Sequence, residues 1–434
     1  MYDELLNKQK TIAVVGLGYV GLPLAVLFSK KFNVIGFDVD VNKISSYRSG
    51  IDVTCELPEN SLKNSNIYFT SDSEDIKKAS FIVIAVPTPI NDEDNPDFKY
   101  IISASETVGK NLNKNSIVVY ESTVYPGVTE DLCVPILEKF SNLNYMSDFK
   151  VGYSPERINP GDKQNRIEDI TKIVSGCDEE SKNIISRVYN SVLNNGVFET
   201  DSIMVAEAAK IVENVTRDVN IALVNEFSMI FNKMGINTID VIEAAGSKWN
   251  FQKFYPGLVG GHCISVDPYY LLYKSKKLNF NPKLMEISRE INENLSEFIV
   301  KNIIYLMIEK DISIKDANGL ILGITFKENC NDIRNSKIVK VIYELEKLGV
   351  NTNVYDPHAD KNEVKRTYGI ELIESYERNK YDFIVIAVAH DDFKTMSINE
   401  IKELSSDDVP LIIDLKSILY KKLSKNHQVR YWSL

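Results

Sequence analysis

The alternation of apolar and polar positions changes rhythm twice along the 434 residues. A β-branched run from Thr11 to Val15 is followed by Gly16-Leu-Gly18-Tyr19-Val20-Gly21, and then by a helically spaced apolar pattern from Leu22 to Phe28. Short apolar runs predict further strands at Asn33 to Phe37, Phe81 to Val86, Ser116 to Tyr120 and Lys150 to Tyr153, with helical patterns between them. From Ser202 to Met234 there is no glycine or proline and the apolar period is helical, so the spacing predicts one long helix. Helices follow over Thr238 to Gly246 and Pro282 to Glu309. The strand–helix alternation then returns, with strands at Gly319 to Thr325, Thr352 to Tyr355, Phe383 to Val388 and Leu411 to Asp414, and a helix near Ser336 to Leu348.

Strand, glycine turn and helix start come in the order a dinucleotide-binding unit requires. Glycines permit the tight turn, the close approach of backbone to pyrophosphate and close helix packing, while the helix N-terminus presents N–H groups to the anion. The second strand ends at Asp38, whose carboxylate can accept from ribose hydroxyls and would repel a 2′-phosphate. NAD is therefore expected over NADP. The expected architecture is α/β: two Rossmann-like doubly wound domains, 1–200 and 311–434, joined by a central helical domain, 201–310, with one long helix.

Candidate chemistry lies at predicted strand ends and in two loops. Val86 leads into Pro87-Thr88-Pro89, Tyr120 into Glu121-Ser122-Thr123, and Tyr153 into Ser154-Pro-Glu156-Arg157-Ile-Asn-Pro-Gly161. Ligands of open α/β sheets bind outside the carboxyl ends of the strands, so these hydroxyls and carboxylates are candidates. On the long helix Lys210, Asn214 and Arg217 share one face. Tyr255-Pro-Gly257-Leu-Val-Gly260-Gly-His262-Cys263 places a thiol behind glycines and ahead of Asp267. Alone, that loop reads as a tight turn burying a cysteine; with helix polar groups and a dinucleotide turn beside it in the chain, it reads as a presented nucleophile. Lys327 and Arg334, before the predicted helix at Ser336, form a candidate anion grip.

Composition removes other classes. Fifty basic against 61 acidic side chains leave a formal charge of −11, without the basic footprint of a nucleic-acid binder. The five cysteines are odd in number and lack metal spacing, and the four histidines are scattered. This is a reduced, cytoplasmic pattern without a metal site. No apolar run approaches ~18 residues, so neither membrane span nor signal peptide is expected.

Taken together, Gly16-x-Gly-x-x-Gly21 with Asp38, Glu121-Ser-Thr123, Ser154-Pro-Glu-Arg157, Ala209-Lys210-x-x-Glu-Asn214, Gly260-Gly-His-Cys263-x-x-x-Asp267 and Phe326-Lys327…Asp332-Ile-Arg334-x-Ser336 resemble the UDP-glucose/GDP-mannose dehydrogenase family. Arg157, Arg217 and the Pro256 to His262 loop are similar to its UDP-N-acetylhexosamine 6-dehydrogenase branch. The resemblance implies an N-terminal NAD domain, a C-terminal UDP domain and a homodimer through the central helix. It implies cofactor contacts from Gly16, Gly18, Tyr19, Val20, Gly21, Asp38, Lys43, Pro87, Thr88, Ser122, Thr123 and Arg334. Substrate contacts are implied for Glu156, Arg157, Lys210, Asn214, Arg217, Tyr255, Gly257, Gly260, His262 and Lys327.

The implied reaction takes C6 of a UDP-N-acetylhexosamine, foremost UDP-N-acetylglucosamine, from alcohol to acid and supplies surface polysaccharide precursors. Cys263 is then the nucleophile, Lys210 and Asn214 stabilise the oxyanion, Glu156 near Thr123 activates water, and Asp267 orients water or Lys210. UDP-N-acetylgalactosamine, UDP-N-acetylmannosamine and UDP-glucose stand as alternative substrates. A two-electron β-hydroxyacid dehydrogenase and a catalytically inactive NAD-sensing protein are the alternatives of other kinds.

Overall fold

A computed structural model describes residues 1–54, 56–58, 60–158, 166–424 and 426–434; Cys55 and Asn159 to Gly161 of the Ser-Pro-Glu-Arg loop lie outside the described residues. The chain forms two compact units, Met1–Glu213 with Tyr269–Asn281, and Asn214–Pro268 with Pro282–Leu434.

The first unit is built on an eight-stranded sheet. Its strands are β1 (Thr11–Val15), β2 (Asn33–Phe37), β3 (Ile67–Thr70), β4 (Phe81–Ile84), β5 (Ser116–Tyr120), β6 (Phe149–Tyr153), β7 (Lys172–Gly176) and β8 (Val197–Glu199), in the order β3-β2-β1-β4-β5-β6-β7-β8. The first six run parallel, and β7 is antiparallel to β6. Strand order reverses between β1 and β4, which makes their carboxyl ends the switch point where a dinucleotide binds. Successive residues enter opposite cores, Ile12 and Val14 one face, Ala13 and Val15 the other. Both faces are therefore buried, and the strands read as continuous apolar runs. Three strands escaped the sequence pattern. β7 carries Lys172 and Ser175 in buried positions, β8 exposes Phe198 and Glu199, and β3 exposes Tyr68.

The second unit holds a five-stranded parallel sheet, β9 (Asn318–Leu322), β10 (Asn351–Tyr355), β11 (Phe383–Ile386), β12 (Leu411–Asp414) and β13 (Arg430–Ser433), in the order β10-β9-β11-β12-β13. Helix Lys283–Glu309 sends Leu295, Ile299, Ile303 and Leu306 into the core that also holds Ile321, Phe383, Val385 and Ile413.

The long helix is Ile203–Met234. Its polar stripe is buried, with Lys210, Asn214, Asp218, Asn225 and Ser228 all withdrawn from solvent, whereas Arg217 is exposed. Their separations of four, four, seven and three keep them on one face. A helix the sequence reading had not placed, Asp267–Lys277, starts at Asp267-Pro268. Proline suits the first helical turn because its missing N–H would be unpaired there anyway. Among the described residues no helix is long and apolar enough to cross a membrane.

Candidate functional site

In the first unit the glycine turn follows β1. A Cβ on Gly16 would lie 2.7 Å from the Ala85 carbonyl oxygen, and Gly16 has φ +90°. A Cβ on Gly21 would lie 1.8 Å from the Gly16 carbonyl oxygen, so the turn closes only without side chains. Nothing of the chain lies within 4 Å of a Cβ on Gly18. Protein packing does not require glycine there, whereas close approach of a pyrophosphate does. Asp38 accepts from Leu17 N in that turn at 2.9 Å and from Asp40 N at 2.9 Å, one bond per oxygen. Each carboxylate oxygen keeps a further lone pair, so Asp38 braces the turn and can still accept from ribose hydroxyls. These residues fit NAD. Gly21→Ala is expected to raise the Kd for NAD by about tenfold or more; an unchanged Kd by fluorescence titration would mean that the turn adapts.

The remaining residues expected at the cofactor differ in how their side chains are used. Lys43 is half-buried on the first turn of helix Val41–Arg48, whose N-cap is Asp40. The Ser122 hydroxyl donates to Val86 O at 2.7 Å and accepts from Val86 N at 3.0 Å. It pins the end of one strand loop to another, using the hydroxyl proton and one of its two lone pairs. Pro87 is exposed and Thr88 half-buried; the Thr88 carbonyl accepts from Tyr270 Oη at 2.8 Å. Glu207, buried in the first turns of the long helix, accepts from Gly127 N and Thr129 N at 2.6 and 2.9 Å and so fixes the loop that carries half-buried Thr123.

Glu156 lies in a network the sequence did not reveal. Its Oε1 accepts from Arg157 N and Ile158 N, each at 2.6 Å, and its Oε2 pairs with Lys172 Nζ at 3.1 Å. Lys172 also pairs with Glu121 at 2.8 Å, and Tyr189 Oη donates to the other Glu121 oxygen. The side chains of Lys172 and Glu121 are 3% and 0% exposed. Burial pushes Glu121 up to about 7; Lys172 opposes the rise and the Glu156 charge adds to it. Burial works against the Lys172 ammonium too, yet the two carboxylates hold its pKa above the usual range. Arg157, expected at the sugar, pairs through Nε with Glu213 at 3.0 Å and donates to Thr171 O at 3.0 Å.

In the second unit the cysteine loop is docked on the loop that follows β9. Asn335 Nδ2 donates to Gly261 O at 3.0 Å and to Ser265 Oγ at 2.9 Å. A Cβ on Gly260 would lie 2.7 Å from Asn335 O, and one on Gly261 2.8 Å from the Phe326 ring. Both glycines are thus required by protein packing, a different reason from the sugar contact expected of them. Half-buried Cys263 has its Sγ 3.1 Å from His262 Nδ1. His262 Nε2 stands 3.6 Å from Asp332 Oδ2, an ion-pair distance. Arg334, expected at the cofactor, engages Asp332 through Nε at 3.0 Å and Nη2 at 2.5 Å. Burial alone would depress the His262 imidazole, but Asp332 and the Cys263 sulfur outweigh it and carry it up to about 9. Burial likewise favours a neutral Asp332, and His262 and Arg334 instead hold its carboxyl well below the usual range.

Asn214 Nδ2 donates to Asp267 Oδ2, and Asp267 N donates to Cys263 O at 2.8 Å, so the long helix is tied through the start of helix Asp267–Lys277 to the cysteine turn. Farther along the stripe Asn225 holds both backbone polar groups of Gly257, N to Oδ1 at 2.8 Å and Nδ2 to O at 3.2 Å. Behind it Asn292 and Arg289 reach Asp218 at 2.8 and 2.6 Å. Gly257 also lies beside Lys416, whose Nζ would be 2.8 Å from a Cβ there. Tyr255 is exposed and donates to Glu243 at 2.8 Å; Lys327 is half-buried. Sequence reasoning passed over Asp218, Asn225, Arg289 and Lys416. The one available signal was the continuation of the helix stripe beyond Asn214 at steps of four and seven.

A largely parallel sheet opening on a glycine turn with an acid at the end of its second strand, followed by a second, parallel α/β sheet, is the frame of an NAD-dependent dehydrogenase. The chain belongs to the UDP-glucose/GDP-mannose dehydrogenase family: residues 10–193 match its NAD binding domain, 204–294 its central domain and 320–421 its UDP binding domain. It is 49% identical to protein CapL of Staphylococcus aureus over 98% of this chain and 100% of that one. It is 49% identical to the UDP-N-acetyl-D-glucosamine 6-dehydrogenase of Salmonella typhi over 94% of this chain and 96% of that one. Among solved structures, the UDP-D-ManNAc dehydrogenase of Pyrococcus horikoshii superposes with TM-score 0.87 at 30% identity, covering 98% of each chain. The cofactor is NAD.

Proposed function

We propose that the protein oxidises C6 of a UDP-N-acetylhexosamine, UDP-N-acetylglucosamine foremost, from primary alcohol to carboxylate, as a supplier of surface-polysaccharide precursors. The observation carrying the choice of sugar is the 49% identity, over nearly the full length of both chains, with a UDP-N-acetyl-D-glucosamine 6-dehydrogenase. Identity to the mannosamine enzyme of known structure is 30%.

Bound NAD supplies the hydride acceptor, needed twice per sugar because alcohol to acid is a four-electron change. The chain's residues supply the rest. Cys263 Sγ adds to the C6 aldehyde carbon, which keeps the intermediate covalently held through the second oxidation and yields a thioester. Lys210 and Asn214 donate to the oxygen that gains charge in that addition. Asp267 fixes the rotamer of Asn214 through the amide hydrogen bond, leaving the second amide N–H for the oxyanion. Glu156 takes a proton from the water that attacks the thioester, and Cys263 leaves as thiolate. Three donors already converge on Glu156. It is therefore oriented rigidly, with the Lys172 ammonium holding the carboxylate that accepts the proton. Arg157, Arg217, Tyr255, Gly257, Gly260, His262 and Lys327 are assigned to the UDP-sugar side in this reading.

The working form in this reading is a cytoplasmic homodimer through the central helix. Helix Ile203–Met234 exposes Val212, Leu223, Phe227, Ile230 and Met234, an apolar load that a second copy would cover. Cys133, Cys177, Cys263 and Cys330 are free thiols, in keeping with a reducing compartment.

A panel of UDP-sugars tests the assignment by NADH formation and product mass. UDP-N-acetylglucosamine is expected to give the highest kcat/KM and two NADH per sugar. A higher kcat/KM on UDP-N-acetylmannosamine, UDP-N-acetylgalactosamine or UDP-glucose would reassign the substrate. One NADH per substrate would point to a β-hydroxyacid dehydrogenase, and NAD binding without turnover to a sensing protein.

A further inference from the structure

We infer that His262 is a catalytic residue that takes the Cys263 thiol proton on Nδ1, with Asp332 as the positioning residue that holds the imidazolium. The inference rests on Cys263 being the nucleophile of the proposed reaction.

The geometry is that of a cysteine–histidine–carboxylate relay assembled from two loops. One imidazole nitrogen lies 3.1 Å from Sγ and the other 3.6 Å from a carboxylate oxygen. Asp332 is 7% exposed and is itself pinned, its Oδ1 accepting from Arg334 N at 2.9 Å. Among the described residues, the charged and titratable groups that act on His262 include Cys263, Asp332 and Arg334, and the Phe326 ring lies 5.9 Å from the imidazole. Arg334 opposes a second positive charge, but it sits behind the carboxylate that it pairs. Moving the proton from Sγ to Nδ1 leaves a thiolate and an imidazolium, so the four groups Cys263, His262, Asp332 and Arg334 keep zero net charge. Transfer therefore creates no new net charge in the half-buried loop. That is the condition under which a histidine-paired thiolate persists.

The same pair serves the end of the reaction. Hydrolysis of the thioester expels a sulfur anion, and an imidazolium 3.1 Å away stabilises that leaving group without a further proton transfer. Gly260 and Gly261 gain a purpose from this. Their close packing on Asn335 and Phe326 holds the cysteine loop at the one register that sets His262 against Asp332.

The test is alkylation of full-length protein by iodoacetamide, read at Cys263 by peptide mass spectrometry. It needs neither NAD nor sugar. At pH 7 the wild type is expected to react about tenfold faster than His262→Asn, with Asp332→Asn between them. Asparagine keeps an amide nitrogen near the Nδ1 position, so a loss in His262→Asn reports the charge rather than a missing hydrogen bond. Rates within twofold for wild type and His262→Asn would overturn the inference. The wild type alone gives a second measure. Its rate is expected to change less than about threefold between pH 6.5 and 8.5, whereas an unassisted thiol gains about tenfold per pH unit below its titration. A tenfold rise per unit would overturn the proposal without any variant. Turnover on a UDP-sugar with an unassisted Cys263 would refute this inference alone. An assisted Cys263 with no turnover on any UDP-sugar would refute the proposed substrate alone.

Discussion

Cys263→Ser protein is expected to bind NAD normally and to form uronate at least about 10³-fold more slowly than wild type, a loss of about 4 kcal/mol in transition-state stabilisation. The size follows from the chemistry of the loop. Serine fits the space of half-buried Cys263 and leaves the Asn335 anchor of the loop and the Asp267 N bond to residue 263 unchanged. What it removes is a sulfur that His262, 3.1 Å away, can hold as an anion. A hydroxyl is far harder to ionise, so addition to the aldehyde loses its nucleophile while the cofactor site is untouched. The measurement is single-turnover formation of the acid, followed by product mass, alongside an NAD titration. Uronate formed at an ordinary rate would remove the covalent scheme.

Lys172→Met is expected to lower the stability of the first unit by about 3–5 kcal/mol at pH 7. Methionine fills most of the lysine volume, so the loss is electrostatic. It strips the cation from Glu121, which has no other ionic partner among the described residues, and from Glu156. A buried carboxylate without its cation is the costly case, far more so than deleting an exposed pair. The pH dependence identifies the cause. The folded-state pKa of Glu121 is raised to about 7, above the unfolded value of 4.5. Between those values the native state binds more protons than the unfolded state, so its contribution to stability declines as pH rises through that window. Without Lys172 the rise is larger and the decline steeper, so the difference between variant and wild type should shrink as pH falls toward 5. Urea denaturation across pH 5 to 8 measures this. A loss below about 1 kcal/mol at pH 7 would mean that Glu121 is satisfied as a neutral acid by Tyr189.

Much of the architecture was legible because it depends on local periodicity. Apolar runs of four or five residues mark parallel strands buried on both faces, and β1, β2 and β5 fall where those runs predict. The glycine turn is legible for a related reason: Gly21 must be glycine to clear the Gly16 carbonyl five residues before it, and Gly16 takes a positive φ that glycine favours. Strands β7 and β8 were not legible. Lys172 opens a buried strand with a charge that Glu121, 51 residues away, and Glu156, 16 residues away, make tolerable.

For the site, the sequence by itself determined the chemical inventory and its class: a dinucleotide turn with Asp38, a glycine-backed Cys263, a lysine and an amide one helical turn apart, and a strand-end carboxylate. Each of these is a short-range pattern, and each constrains chemistry by residue type alone. Only the tertiary structure decided what those residues are attached to. Pairings over 32 residues from Asn225 to Gly257 and 70 from Asn335 to Ser265 leave no trace in local spacing, because loops of any sequence can carry them. It is through such pairings that His262 meets Asp332, Arg157 turns to Glu213 and Ser122 is committed to Val86. They show that Gly260 and Gly261 are also held as glycine by protein packing, since a close approach requires glycine whatever the approaching group, and only coordinates say which protein group it is.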